Sequence, residues 1–103
     1  MSAFIHTLTL KSKSGQLADA RTKVAQLAKL AESGGATSTR LMVSMAGDTA
    51  RAILVIEFES GEAWATFMQS DAVRTARRAR YEDDYPLEVL DTSVFQELSI
   101  NPD

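Results

Sequence analysis

Apolar and polar side chains alternate at the start of the chain, over residues 4–11. One side of this segment carries Phe4, His6, Leu8 and Leu10, and the other carries Ile5, Thr7, Thr9 and Lys11. Because successive side chains of a strand point to opposite faces, this period of two predicts a β-strand.

The period changes after Gly15, where apolar residues recur at steps of three and four up to Ala31. Such a stripe predicts an amphipathic helix. Ser14 is the candidate cap at its start, and Gly34 and Gly35 favour its end. Alternation returns over residues 40–46 and 52–59, and the turn residues between these segments predict a β-hairpin.

A second helix is predicted to begin after Ser60, whose side chain can cap it. Ser70 precedes Asp71 in a second capping position, so we expect the helix to break there and restart through Tyr81. Residues 87–91 predict a short strand, and residues 94–100 predict a further edge strand or an arm.

The predicted order is therefore βαββαβ, within one domain that spans residues 1–103. Two strand–helix–strand units around a hairpin are typical of the ferredoxin-like arrangement. We expect an α+β fold in which one antiparallel sheet carries two helices on one face.

The third strand indicates self-association. Residues 53–56 read Ile-Leu-Val-Ile and are therefore apolar on both faces of the strand. In a strand with one solvent-exposed face, apolar and polar residues should alternate. Two helices can cover only one face of the sheet, so a second copy of the chain is the simplest cover for the other. The alternative is a monomer with an apolar open face.

Composition and charge narrow the function classes. The 103 residues carry a formal net charge of −3, which offers no general attraction for nucleic acid or an anionic membrane. The absence of cysteine excludes disulfides, thiolate catalysis and cysteine metal sites. The first residues resemble no signal peptide, and no apolar run is long enough to span a bilayer. We therefore expect a soluble cytoplasmic protein.

The segment FESGEAWATFMQSDAV, from Phe58 to Val73, joins a strand to an acidic, capped helix start with an aromatic residue and then a serine step. With the chain length and the element order, it resembles the dimeric α+β barrel superfamily, in particular antibiotic-biosynthesis-monooxygenase-like and NIPSNAP-like small proteins. The resemblance implies two sheets packed face to face in a homodimer and a ligand cleft between helices and sheet in each subunit. It also implies a small aromatic or polyketide-like ligand and, in the monooxygenase-like members, no cofactor.

The superfamily also includes haem-degrading proteins, whose axial histidine follows the tryptophan of the second helix. In this chain Trp64 is followed by Arg74, Arg77 and Arg78, and the helix contains no histidine. This departure argues against haem degradation.

His6 is the only histidine, and it shares the more apolar face of its strand. If the helices cover that face, His6 is the candidate catalytic residue, as a general base or an orienting group. The alternative is a packed histidine bonded to a carbonyl or carboxylate. A single histidine without cysteine makes a zinc site improbable, so we predict no metal.

Five further side chains are candidates for the wall of the cleft or its mouth. They are Phe4, Trp64, Phe67, Met68 and Arg77. The alternative for the aromatic ones is plain packing of helix on sheet. For the basic cluster of Arg74, Arg77, Arg78 and Arg80 it is a solvated face, neutralised by Glu82 and Asp84 at four-residue spacing from Arg78 and Arg80.

Glu57 interrupts the apolar third strand and by alternation lies on the face opposite to His6, so the two cannot form a dyad. We interpret it as a structural residue whose partner is Arg40 or Arg51 across the subunit interface. Two functions remain open at this point. One is a cofactor-independent monooxygenase-like enzyme, and the other is a non-catalytic ligand-binding or assembly module.

Overall fold

The computed structural model describes residues 3–100, which form four strands and three helices. The strands are β1 (Phe4–Ser12), β2 (Ser38–Val43), β3 (Arg51–Phe58) and β4 (Leu87–Gln96). The helices are α1 (Leu17–Ser33), α2 (Gly61–Met68) and α3 (Asp71–Ala79). The order along the chain is βαββααβ, since the predicted second helix is divided in two.

All neighbouring strands are antiparallel, in the order β2-β3-β1-β4. This arrangement confirms the predicted α+β, ferredoxin-like fold. Alternation places one side chain of every two under the helices, where Leu10, Leu54 and Phe58 are almost fully enclosed. The same core includes buried residues of all three helices, so the helices cover one face of the sheet.

The serine caps of the second helical region form as predicted. The Oγ of Ser60 accepts a hydrogen bond from the backbone N–H of Ala63 at 3.1 Å, and the Oγ of Ser70 accepts one from Val73 at 3.3 Å. Each cap satisfies a backbone donor that the first turn of a helix leaves free, so α2 stops and α3 starts anew.

The cap predicted for the first helix is wrong. Gln16, and not Ser14, occupies the capping position of α1, and no side chain caps it. Gly15 has a φ of 76°, and the turn is closed by a bond from the Gln16 N–H to the Lys13 carbonyl. The chain thus enters α1 through a backbone turn that only glycine adopts at low cost.

The predicted last strand was too short. β4 continues to Gln96 without a break, because it pairs with β1 over that strand's full length. The register shifts between Thr9 and Leu10, where Leu90 is the extra residue of a β-bulge. β2 conversely ends at Val43, earlier than the alternation indicated.

The face of the sheet away from the helices carries apolar side chains from all four strands. They include Ile5, Met42, Ile53, Val55 and Phe95, which pairing in register places on that side. Phe95 and Met42 are 55% and 53% exposed.

Glu57 lies on this open face, directly across from Ile5 of β1, and its carboxylate forms no ion pair with residues 3–100. Arg51, one of its two predicted partners, instead lies 3.8 Å from Asp48 within the same chain. No helix in residues 3–100 is long and apolar enough to cross a membrane.

Candidate functional site

A cavity of about 170 Å³ lies between the sheet and the helices. Its apolar walls come from β1, β3 and β4 below and from all three helices above. They comprise Leu8, Leu10, Leu27, Leu30, Ile56, Phe67, Met68, Val73, Ala76 and Val89. Five polar or charged residues complete the lining, namely His6, Arg77, Arg80, Tyr85 and Thr92. A mostly apolar cavity with a few convergent polar groups is typical of a small-molecule site.

His6 is held by a hydrogen bond from the indole of Trp64. Trp64 Nε1 donates to His6 Nδ1 at 2.9 Å, although the two residues are 58 positions apart in sequence. An indole nitrogen is a donor only, so Nδ1 must be unprotonated and the single proton of the neutral imidazole lies on Nε2. Trp64 therefore fixes both the ring orientation and the tautomer of His6.

The other nitrogen of His6 opens into the cavity. Nε2 has no hydrogen-bond partner among residues 3–100. It is also not among the side-chain nitrogen and oxygen atoms of these residues that are both fully buried and without a partner. The residue as a whole is only 4% exposed. The imidazole thus presents an N–H donor, and not a lone pair, to whatever enters the cavity.

Burial lowers the pKa of His6 below its ordinary value of 6.5, and the nearby positive charges of Arg77 and Arg80 lower it further. A protonated imidazole would also carry a hydrogen on Nδ1, facing the indole N–H, so the bond from Trp64 disfavours the cation as well. His6 is neutral at neutral pH, and this geometry favours the orienting role for it over that of a general base.

Arg80 also lines the cavity, and it forms no ion pair with residues 3–100. Its Nε is fully buried without a hydrogen-bond partner, the one such side-chain atom in the described residues, and is therefore sealed from the cavity as well as from solvent. The remaining N–H groups of the guanidinium are the donors that a bound acceptor could reach. The guanidinium carbon lies 5.9 Å from the centre of the Tyr81 ring.

Tyr85 is 5% exposed, and burial raises the pKa of its phenol, although Arg80 acts in the opposite direction. The hydroxyl therefore stays protonated and can donate. Neither an aspartate nor a glutamate lines the cavity. No three histidine or carboxylate side chains of residues 3–100 form a group that could hold a metal ion.

The structure distributes the predicted site residues over two layers. Phe67, Met68 and Arg77 line the cavity together with His6. Trp64 holds the imidazole and Phe4 packs against Trp64, with their ring centres 5.3 Å apart, and neither lines the cavity.

The basic cluster divides in a similar way. Arg77 and Arg80 line the cavity, whereas Arg74 lies 4.0 Å from Asp71 on the outer side. The ion pairs expected between this cluster and the following acidic residues do not form in residues 3–100. The three-residue step from Arg77 to Arg80 could have placed both on one face. No sequence signal indicated Tyr85.

Comparison with known proteins supports the fold. No family model matches this chain, and no curated protein matches it in sequence. Among solved structures, a putative antibiotic biosynthesis monooxygenase from Bordetella bronchiseptica has a TM-score of 0.68 at 19% identity, over 98% of this chain and 100% of that one. A second protein with that description, from Deinococcus radiodurans, has a TM-score of 0.67 at 13% identity, over 96% and 92% of the two chains.

A dabb family protein with a ferredoxin-like fold, from Mesorhizobium loti, has a TM-score of 0.68 at 16% identity, over 98% of this chain and 100% of that one. These neighbours confirm, at the level of fold, the resemblance that the sequence indicated.

Proposed function

We propose that this chain binds a small, largely apolar molecule in the cavity between its sheet and its helices. The observation that carries the proposal is the cavity itself, where ten apolar side chains surround a space of about 170 Å³ that is not filled by the protein. An open, mostly apolar pocket with a few polar groups is the usual form of a small-molecule site, so this cavity favours a ligand.

A cofactor-independent monooxygenase-like enzyme is the second candidate, and the ligand would then be its substrate. Two observations favour it: the cavity is open with His6 facing it, and two structural neighbours carry the name of such enzymes. Against it stands the lack of a base, since His6 presents a donor and no carboxylate lines the cavity. Binding is therefore the primary proposal. Without a general base in the cavity, catalysis would require a substrate acidic enough to lose its proton unaided.

We further propose that the protein is a homodimer formed through the open face of the sheet. Val55 is buried but Phe95 and Met42 remain more than half exposed on this face, which carries apolar side chains from all four strands. Burial of such a surface stabilises an association, and a second copy of the same twisted sheet offers a matching shape.

Ligand binding can be tested with Trp64, the only tryptophan of the chain, as the reporter. Its indole N–H bonds to His6, so a ligand that contacts His6 should shift the indole resonance in ¹H–¹⁵N spectra. We expect a saturable shift with 1-octanol as the probe. Ala76→Phe, which places a ring in the cavity, should abolish it, and Ala72→Phe on the exposed side of the same helix should not. Equal shifts in both variants would contradict the proposal.

The dimer can be tested by size exclusion with light scattering. We expect a mass about twice the 11.2 kDa of one chain at micromolar concentration. Phe95→Lys should give a monomer, whereas Leu17→Lys, at an equally exposed apolar residue on the helical side, should not. A monomer in the unmodified protein would refute the proposed interface.

The catalytic candidate has a separate test, which is oxygen uptake with naphthols and related phenols and without added cofactor. We expect uptake that depends on His6 if the protein is an enzyme, with His6→Gln as the variant. No uptake with any compound that shifts the Trp64 resonance would leave binding as the function.

A further inference from the structure

We propose that the ligand of this cavity is an apolar molecule that carries a single carboxylate, and that the carboxylate is bound between His6 and Arg80. The inference rests on the proposed binding function and specifies its ligand class. It follows from which polar groups line the cavity, from how they are protonated and from which of them have no partner.

His6, Arg77 and Arg80 present only donors to the cavity, and the Tyr85 hydroxyl can donate as well. His6 Nε2 carries a proton because Nδ1 accepts the bond from Trp64. The guanidinium groups of Arg77 and Arg80 have donors only, and the Tyr85 hydroxyl keeps its proton. A ligand that satisfies these groups must supply acceptor oxygens, and a ligand with N–H donors would leave them unsatisfied.

The charges around the cavity favour an anion. Two guanidinium groups line it and no carboxylate of the protein does, so the formal charge of the lining is positive although the whole chain is negative. His6, Arg77 and Arg80 line the same cavity, and the charges of both arginines lower the pKa of His6. An anion bound beside these side chains would be stabilised in a setting of low dielectric.

The guanidinium of Arg80 is the best-placed anchor for the anion. It forms no ion pair with residues 3–100, and Arg80 is half-buried whereas Arg77 is exposed, so its charge is the less hydrated of the two. The two oxygens of a carboxylate can accept from two donors at once, which suits Arg80 on one side and the Nε2–H of His6 on the other. A dianionic phosphate would have a larger desolvation cost in this largely apolar cavity than a carboxylate, so we assign a monoanion.

The assignment gives Trp64 a defined part as a positioning residue. Trp64 does not line the cavity, but its bond to Nδ1 keeps the Nε2 proton of His6 directed toward the ligand. If that bond were lost, the imidazole could place its proton on Nδ1 and present a lone pair, which would repel a carboxylate.

The test compares three probes with the same chain, namely octanoate, octanamide and 1-octanol, at pH 8.0 and low salt. Dissociation constants are read from the Trp64 indole resonance and checked by calorimetry. We expect octanoate to bind the unmodified protein at least about 10-fold more tightly than either neutral probe, because only the anion gains charge-assisted hydrogen bonds.

Arg80→Met and Arg78→Met provide the matched pair of variants. Arg80→Met removes the guanidinium that lines the cavity and should reduce the preference for octanoate to about 2-fold or less, while 1-octanol binds within about 3-fold of its original affinity. Arg78 is exposed and does not line the cavity, so Arg78→Met changes the net charge equally and should leave the preference intact.

The outcomes separate the inference from the function on which it rests. Tight binding of 1-octanol with no preference for octanoate would overturn the carboxylate assignment and leave the apolar binding site in place. A preference that survives in Arg80→Met would also overturn the assignment, since it would come from Arg77 or from general charge. If no probe binds the unmodified protein, the proposed function itself fails.

Discussion

The buried, neutral state of His6 makes the stability of this protein depend on pH in a predictable direction. In the folded chain the pKa of His6 is lowered from 6.5, first by burial and then by Arg77 and Arg80. In the unfolded chain the imidazole regains its ordinary pKa. As the pH falls below that value, the unfolded state therefore binds a proton that the folded state does not.

The sign and the size of this pH dependence of stability follow from proton linkage. The free energy of unfolding is unaffected by His6 above pH 6.5 and decreases as the pH falls below it. One proton sets a limiting slope of about 1.4 kcal/mol per pH unit. Because Nε2 opens into a cavity and is partly screened, we expect a smaller loss, about 1 kcal/mol between pH 7.5 and 5.5.

Two measurements on the same samples check this expectation. Urea unfolding at pH 7.5, 6.5 and 5.5 gives the change in stability. His6 is the only histidine, so its ring resonance in ¹H spectra gives its titration without an assignment problem. The control is His6→Gln, which keeps a polar planar side chain but does not titrate, and whose stability should change less over this range.

Two results would refute the reasoning. The first is a His6 resonance in the folded protein that titrates at or above the ordinary pKa. The second is a stability loss of the same size in His6→Gln, which would assign the pH dependence to other groups.

Two further predictions concern the support of the site. Trp64→Phe removes the donor to His6 and leaves Nδ1 buried without a partner, so we expect a loss of about 2 kcal/mol in urea unfolding and a rise in the pKa of His6 by NMR; an unchanged titration would show that the bond does not set the protonation of His6. Gly34→Ala places a methyl group against the Phe67 ring at the end of α1, so we expect a loss of about 1–3 kcal/mol. The adjacent exposed Ser33→Ala is its control and should be nearly neutral, and equal effects of the two substitutions would contradict the packing argument.

The sequence determined the parts of this protein that depend on local backbone geometry. Alternation assigned His6 to the face under the helices and Glu57 to the opposite face, and pairing in the structure agrees with both. The serines that cap α2 and α3 were predicted for the same reason, because a cap bonds to a backbone group only three residues away.

The tertiary structure decided what depends on elements distant in sequence. The tautomer of His6 comes from a tryptophan 58 positions away, and the buried state of the Arg80 Nε comes from packing around the end of α3. The length of β4 likewise follows from its pairing with β1 and not from its own alternation. Whether a donor finds an acceptor depends on distances of a few tenths of an ångström, and these are fixed by the packing of the helices against the sheet. The local periodicity of the sequence contains no information about such distances.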